Sequence, residues 1–187
     1  GMPVKELSAR LKMSYMGVKD LCLDLEKKGL LKTWRRAGVA GRPELEYRLT
    51  RKAQDAFPQP DNGALLAVLA AARRLHGPDM PAKLLLVYFQ EKVVAYRKRL
   101  RGDSPLERAK WLARLRDREG HYAIFQHEET AVVIEHHQPL LDVFQGYPEM
   151  GRMEEQMFSQ LLGCAVRRTE QLLEGCYECR FELALSS

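Results

Sequence analysis

Cys176-Tyr177-Glu178-Cys179 sets two thiols three positions apart, a spacing that serves zinc sites and thiol–disulfide exchange. An isolated CxxC needs two more ligands to hold structural zinc, and Cys164 and His137 are the candidates to supply them. No second CxxC and no close HxxxH pair accompanies them. Cys22 recurs with Val18 and Leu25 at helical spacing, so its expected role is packing. The chain shows no secretory leader, and its 4 cysteines are expected to be free thiols or ligands rather than disulfides. For catalysis there is no GxSxG, phosphate loop or GxGxxG. His136 and His137 follow an apolar strand without a matched nucleophile, and Glu128-Glu129 reads as a solvated turn. No enzyme activity is expected.

The other chemistry is cationic. Residues 1–52 hold 13 Lys or Arg and 6 Asp or Glu, a formal +7. The whole chain is +5, which leaves −2 for residues 53–187. Positive charge is thus segregated at the amino-terminal end, as neutralising phosphates requires. An ordinary solvated face explains a lone charge run more simply, but these cations sit on a helix-turn-helix pattern. Ser14, Tyr15, Met16, Lys19 and Leu23 are expected to face a major groove. Lys32, Arg35, Arg36, Arg42 and Arg48 are expected to reach phosphates, with Arg42 the minor-groove candidate. Asp20 and Asp24 oppose this unless they pair with Lys19 or Lys28.

Local chemistry predicts the elements that hold these side chains. Val4, Leu7 and Leu11 form one stripe of a short helix beginning at Pro3. Ser14 stands at an N-cap position, and Val18, Cys22 and Leu25, widened by Leu21, make the apolar face of a second helix over 15–28. Gly29 ends it, with Lys27 and Lys28 against the negative end of its dipole. Strands follow at 30–36 and 44–50, the second alternating Leu45, Tyr47 and Leu49. Between them 37–43, closing on Gly41-Arg42-Pro43, is the expected wing.

The segment 57–63, with Pro58, Pro60 and Asp61-Asn62-Gly63, marks a domain boundary. Helices are expected over about 64–76 and 80–101. A third begins at the capping box Ser104-Pro105-Leu106-Glu107 and closes at Gly120. Its apolar set Leu106, Trp111, Leu112 and Leu115 leaves Arg108, Lys110, Arg114, Arg116 and Arg118 outward. A hairpin over 122–136, a helix over 150–162 and strands at 165–173 and 177–185 complete the chain. The expected fold class is α+β: a winged helix-turn-helix at 1–57, a helical dimerisation region at 61–120 and an antiparallel-sheet sensor domain at 121–187. Amphipathic helices over 64–101 fit either a core or pairing with a second copy, and a homodimer suits a protein that reads two half-sites.

Val18, Leu25-Glu26, Gly29-Leu30, Gly41-Arg42-Pro43 and Tyr47-Arg48-Leu49-Thr50 carry a resemblance to winged helix-turn-helix regulators of the ArsR/DeoR-like type. The chain looks most like the repressors of the iron–sulfur-assembly operon (SufR-like). The likeness continues through Leu106-Glu107-Arg108, Tyr147-Pro148-Glu149, Glu154, Gly175 and Cys179-Arg180-Phe181. Such repressors hold an iron–sulfur cluster through four cysteines. By this resemblance the ligand positions are Gln138, Gly151, Cys164 and Cys179, so two of the four sulfurs are lost. No cofactor is therefore expected, with a cluster or zinc at Cys164, Cys179, Cys176 and His137 as the alternative.

The resemblance implies a cytoplasmic repressor whose partner is double-stranded DNA, with no membrane span among its apolar runs. The alternative is a ligand- or metal-sensing or protein-interaction domain with a vestigial winged head. Its pocket would be lined by Tyr122, Phe125, Phe144 and Tyr147. Winged domains of this type place another helix ahead of the pair, and this chain starts about where the second belongs, so weak DNA binding is expected.

Overall fold

A computed structural model describes residues 1–36, 44–56, 60–173 and 176–185, without the side chains of Arg36, Glu44, Gln54, Asp55, Leu173 and Cys176. The expected wing, with Gly41, Arg42 and Pro43, lies outside the described residues. The fold is mixed α+β with two antiparallel sheets. It divides into two compact units, one of residues 1–58 with 172–176 and the other of 59–171 with 177–185 and the terminal pair.

In the first unit a two-residue strand β1 (Met2–Pro3) precedes helix α1 (Val4–Leu11) and helix α2 (Tyr15–Lys27). Strands β2 (Leu31–Arg36) and β3 (Glu44–Leu49) pair antiparallel in the register Leu31 to Leu49 through Arg36 to Glu44. β1 adds to the far edge of β3, giving the order β1-β3-β2. Ser14 caps α2 as its residue type dictates, its Oγ accepting from Gly17 N at 3.1 Å. Gly29, at φ 73°, ends the helix. Leu30 N donates to Leu25 O and Gly29 N to Glu26 O, the paired bonds of a Schellman closure.

Val4, Val18, Cys22 and Tyr47 form the core of this unit, with Leu7 and Leu31 packed on it. Leu11 and Leu21, expected in the apolar stripes, are exposed. Leu11 is the last residue of α1, and Lys12 turns left-handed at φ 54°, so the chain leaves before the stripe closes. Leu21 lies about 100° around α2 from Cys22 and falls off the buried line. Leu45 and Leu49 are also exposed, so only Tyr47 of the alternating set reaches the core.

The second unit opens with α3 (Gly63–His76), α4 (Met80–Arg99) and α5 (Pro105–Arg116). Ser104 and Glu107 form the expected capping box at the start of α5. α5 stops at Arg116, four residues short of the expected end, and 117–121 widen into a π-type turn that Gly120 closes at φ 89°. Hairpin β4 (Ala123–His127) and β5 (Ala131–Glu135) follows, then α6 (Leu141–Gly146), α7 (Met150–Leu162), β6 (Ala165–Leu173) and β7 (Cys176–Ala184). The sheet order is β4-β5-β7-β6. β5 is buried along its whole length.

The helices expected to stand apart as a dimerisation region share one core with the sheet. Leu69, Phe89, Tyr96 and Leu112 belong to the same buried cluster as Val133, Phe158 and Phe181. None of the described helices is long and apolar enough to cross a membrane.

Candidate functional site

Two regions bring chemistry together, the outer face of α2 with its hairpin and a buried charge cluster in the second unit.

On α2, Val18 (1 % exposed) and Cys22 turn inward. Helical geometry then turns Tyr15 (52 % exposed), Met16 (60 %), Lys19 and Leu23 to solvent. Ser14 stands at their head, its Oγ lone pair used by Gly17 N. Lys32 is half-buried and Arg35 exposed on β2. Arg48, on β3, lies over the Trp34 ring at 4.7 Å and 3.8 Å from Glu46 Oε2. Asp24 pairs with Lys28 at 2.7 Å, four positions on. The hydrogen bond and charge of Lys28 hold its carboxyl below the ordinary range, so this acid is neutralised on its own helix. Arg42 and the Arg36 side chain lie outside the described residues.

Of the four positions that the family resemblance assigns to a cluster, Cys164 and Cys179 carry sulfur. Cys179 is fully buried and Cys164 half-buried. Burial pushes both thiols up, away from the thiolate that ligates metal. A Cβ at Gly151 would meet Arg168 Nη1 at 3.4 Å, so an arginine stands where the second ligand would point. Gln138 Oε1 accepts from Leu140 N at 3.3 Å. His137 is buried, with its ring 5.8 Å from that of Tyr122. Among the described residues no group of three or more His, Cys, Asp or Glu is placed to hold a metal ion. The Cys176 side chain lies outside them.

The second region corrects the sequence reading of α5. Arg116, expected to point outward, is 4 % exposed. Its Nε and Nη2 donate to the two oxygens of Glu135 at 2.6 and 2.8 Å, a bidentate fork. Nη2 also reaches Glu154 Oε1 at 2.5 Å. Glu154 Oε2 accepts from Arg168 Nε at 3.1 Å, and Arg168 Nη2 donates to Glu170 at 2.6 Å. Burial alone would raise the Glu135 carboxyl, but the adjoining Arg116 and His121 outweigh it and hold it down to about 2. The same carboxylates lift Arg116 far above its ordinary value.

The phenylalanines complete the cluster. Phe158 stacks on Phe181 at 3.7 Å and 2°, with Arg116 5.5 Å from the first ring and Arg168 5.9 Å from the second.

Spacing held a signal for this cluster. Ala109, Leu112, Ala113 and Arg116 run i, i+3, i+4, i+7 on α5, and Glu154, Met157, Phe158 and Leu161 do so on α7. A charge on a buried stripe needs a buried partner. Beside the cluster lies a cavity of about 310 Å³ bounded by Tyr88, Phe89, Gln138, Phe144 and Met157. Of the four residues expected to line a pocket, Phe144 borders this cavity. Comparison with protein-family models, with curated proteins and with solved structures finds no match to this chain.

Proposed function

We propose that this chain is a DNA-binding transcription regulator, a repressor acting as a homodimer, and that residues 1–57 are a winged helix-turn-helix. The observation that carries the reading is the outer face of α2. Tyr15, Met16, Lys19 and Leu23 are left to solvent on a helix that Ser14 caps after a three-residue turn from α1. A helix presented this way, beside an antiparallel hairpin bearing Lys32, Arg35 and Arg48, suits a major groove flanked by phosphates. The formal +7 of residues 1–52 against −2 for the remainder points the same way. The Asp24–Lys28 pair removes one of the two acidic objections.

A second copy is the natural occupant of the apolar helical faces of the other unit. Val87, Val94 and Ala95 are exposed along one face of α4, together with Glu91 and Lys98. Acid and base seven residues apart let an antiparallel copy set Glu91 against Lys98 of its mate. Light scattering at micromolar concentration is expected to give a dimer mass, which Val94→Glu lowers to the monomer. A monomer mass for the unaltered protein overturns the homodimer.

DNA binding is tested by fluorescence anisotropy on a mixed-sequence duplex over a salt series. The affinity is expected to fall with a log–log slope of about −0.9 for each phosphate neutralised. Lys32→Ala and Arg35→Ala should each reduce that slope by about 1. Retention that ignores salt, or is unchanged by both substitutions, rejects the proposal.

A further inference from the structure

The acidic balance of the chain beyond residue 52 hides a basic stretch. Residues 97–118 hold 9 Lys or Arg and 3 Asp or Glu, a formal +6, although residues 53–187 sum to −2. Several of these cations have fixed tasks. Arg116 is buried against Glu135 and Glu154, and Arg99 pairs with Glu119 at 3.3 Å. Arg101 Nη1 donates to Lys98 O at 3.3 Å and to Leu100 O at 3.0 Å, which closes the C-terminal end of α4.

Arg97 and Arg108 remain, and both border a second cavity of about 310 Å³. It lies within the second unit, where the ends of α4 and α7 meet the first turn of α5. Arg97 is exposed and Arg108 half-buried. Arg108 is held in place, because its Nε donates to Leu162 O at 2.9 Å. A Cβ on Gly163 (φ 74°) would meet Arg108 Nη2 at 2.9 Å, so glycine lets the guanidinium lie across the end of α7. Among the described residues, Arg97 and the Nη groups of Arg108 have no hydrogen-bond or carboxylate partner.

The lining is short of negative charge. Among the described residues no Asp or Glu borders the cavity, and Gln160, Leu100 and Leu161 complete the walls between the arginines. Glu107, the acid beside Arg108 in sequence, faces the cap of α5, its Oε2 accepting from Asp103 N at 3.0 Å and Ser104 N at 3.2 Å. The carbonyl ends of α4 and α7 are negative, but Arg101 and the Nε of Arg108 already answer them. Two guanidiniums in one cavity therefore call for a guest with two negative charges. A terminal phosphate carries about −1.5 to −2 at neutral pH on one centre, with three acceptor oxygens that suit guanidinium forks. A phosphodiester, as in a nucleic-acid backbone or a lipid linkage, carries a single charge, and a dicarboxylate divides its two between separate groups.

We propose that this cavity binds a small phosphate monoester, its terminal phosphate between Arg97 and the Nη groups of Arg108 and its organic body against Leu100 and Leu161. The space meets the lower end of the usual ligand range, enough for a phosphate and one ring.

The full chain, without DNA and at an ionic strength of about 0.15 M, is titrated by calorimetry with phenyl phosphate, inorganic phosphate, methyl phenyl phosphate and phthalate. Phenyl phosphate is expected to bind with a Kd from about 10 µM to 1 mM, and at least fivefold more tightly than each of the other three. Arg97→Gln and Arg108→Gln should each weaken it about tenfold. Arg97→Gln should leave Tm unchanged, because that side chain is exposed, so it decides the matter should Arg108→Gln, which also frees Leu162 O, fail to fold. Arg118→Gln removes an exposed cation of the same basic stretch and should leave the Kd as it was.

The proposal is overturned if phenyl phosphate does not bind, or if the diester, phthalate or inorganic phosphate binds as tightly. It is equally overturned if Arg97→Gln leaves the Kd unchanged, or if Arg118→Gln weakens binding as much as Arg97→Gln does, which would mark a diffuse attraction to the basic stretch. No DNA enters this titration, so failure here leaves the regulator reading standing, and loss of DNA binding leaves this result standing.

Discussion

The two units spend their residues differently. The first is held by Val4, Val18, Cys22 and Tyr47, while Leu11, Tyr15, Met16, Leu21 and Leu23 stay at the surface. The second buries a continuous cluster from Leu69 to Leu183 and takes Arg116, Glu135 and Glu154 inside with it. A small core gives little reserve against conformational entropy, because burial rises steeply with domain size. Apolar side chains left outside on the first unit suit contact with something else. The second unit has the mass to tolerate ions in its interior and to keep a cavity from collapsing. One tryptophan reports on each, Trp34 on β2 and Trp111 on α5.

That division can be broken one unit at a time. The largest effect is expected from Arg116→Met, which takes the bidentate partner from buried Glu135 and one of the two arginines from Glu154. It should cost about 3–5 kcal/mol, read from the denaturant midpoint of Trp111 fluorescence in a Trp34→Phe background. A loss under about 1 kcal/mol would mean the cluster is not a buried unit. Acid probes the same contact from the other side. The Glu135 carboxyl sits near 2 in the folded protein against about 4.3 unfolded. A depressed carboxylate adds stability above its unfolded value and loses it as pH falls through the folded one. The Trp111 transition should therefore weaken between about pH 4.5 and 2, and Glu135→Gln should flatten that dependence. An acid limb identical in both proteins argues against the assignment.

A middle effect is expected in the first unit. Val18→Ala should remove about 1–3 kcal/mol, seen at Trp34 in a Trp111→Phe background. Trp111 should not register it. Movement of both probes together would show that the units unfold as one. The smallest change is Ser104→Ala, which deletes the cap of α5 at a cost of about 1 kcal/mol and should appear at Trp111 alone.

Much of the backbone was legible because it is written locally. The caps at Ser14 and Ser104, the closure at Gly29 and the α7 bounds at Met150 and Leu162 depend on neighbours within a turn. Spacing put Arg116 and Glu154 on buried stripes, but their pairing with each other and with Glu135 was not legible, because the three come from two helices and a strand. The cavity beside that cluster draws its walls from α4, the 117–121 turn, the 138–140 segment, Phe144 of α6 and α7, so no spacing along one element could mark it. On α2 the pattern separated inside from outside well for Val18 and Cys22 and failed at Leu21, where one angular step decides exposure.

The bracketed ring pair has a consequence for how the closing strand finds its frame. Phe181 stands opposite Val133 across β5 and β7 and lies flat on Phe158 of α7. A slip of one residue along β7 would send Phe181 to the reverse side of the sheet. It would then forfeit the stack on Phe158 and its own contact with the Arg168 guanidinium. The ring pair thus acts as a key that accepts a single alignment of the last hairpin, so misregistered chains are rejected by lost contacts before any site can form.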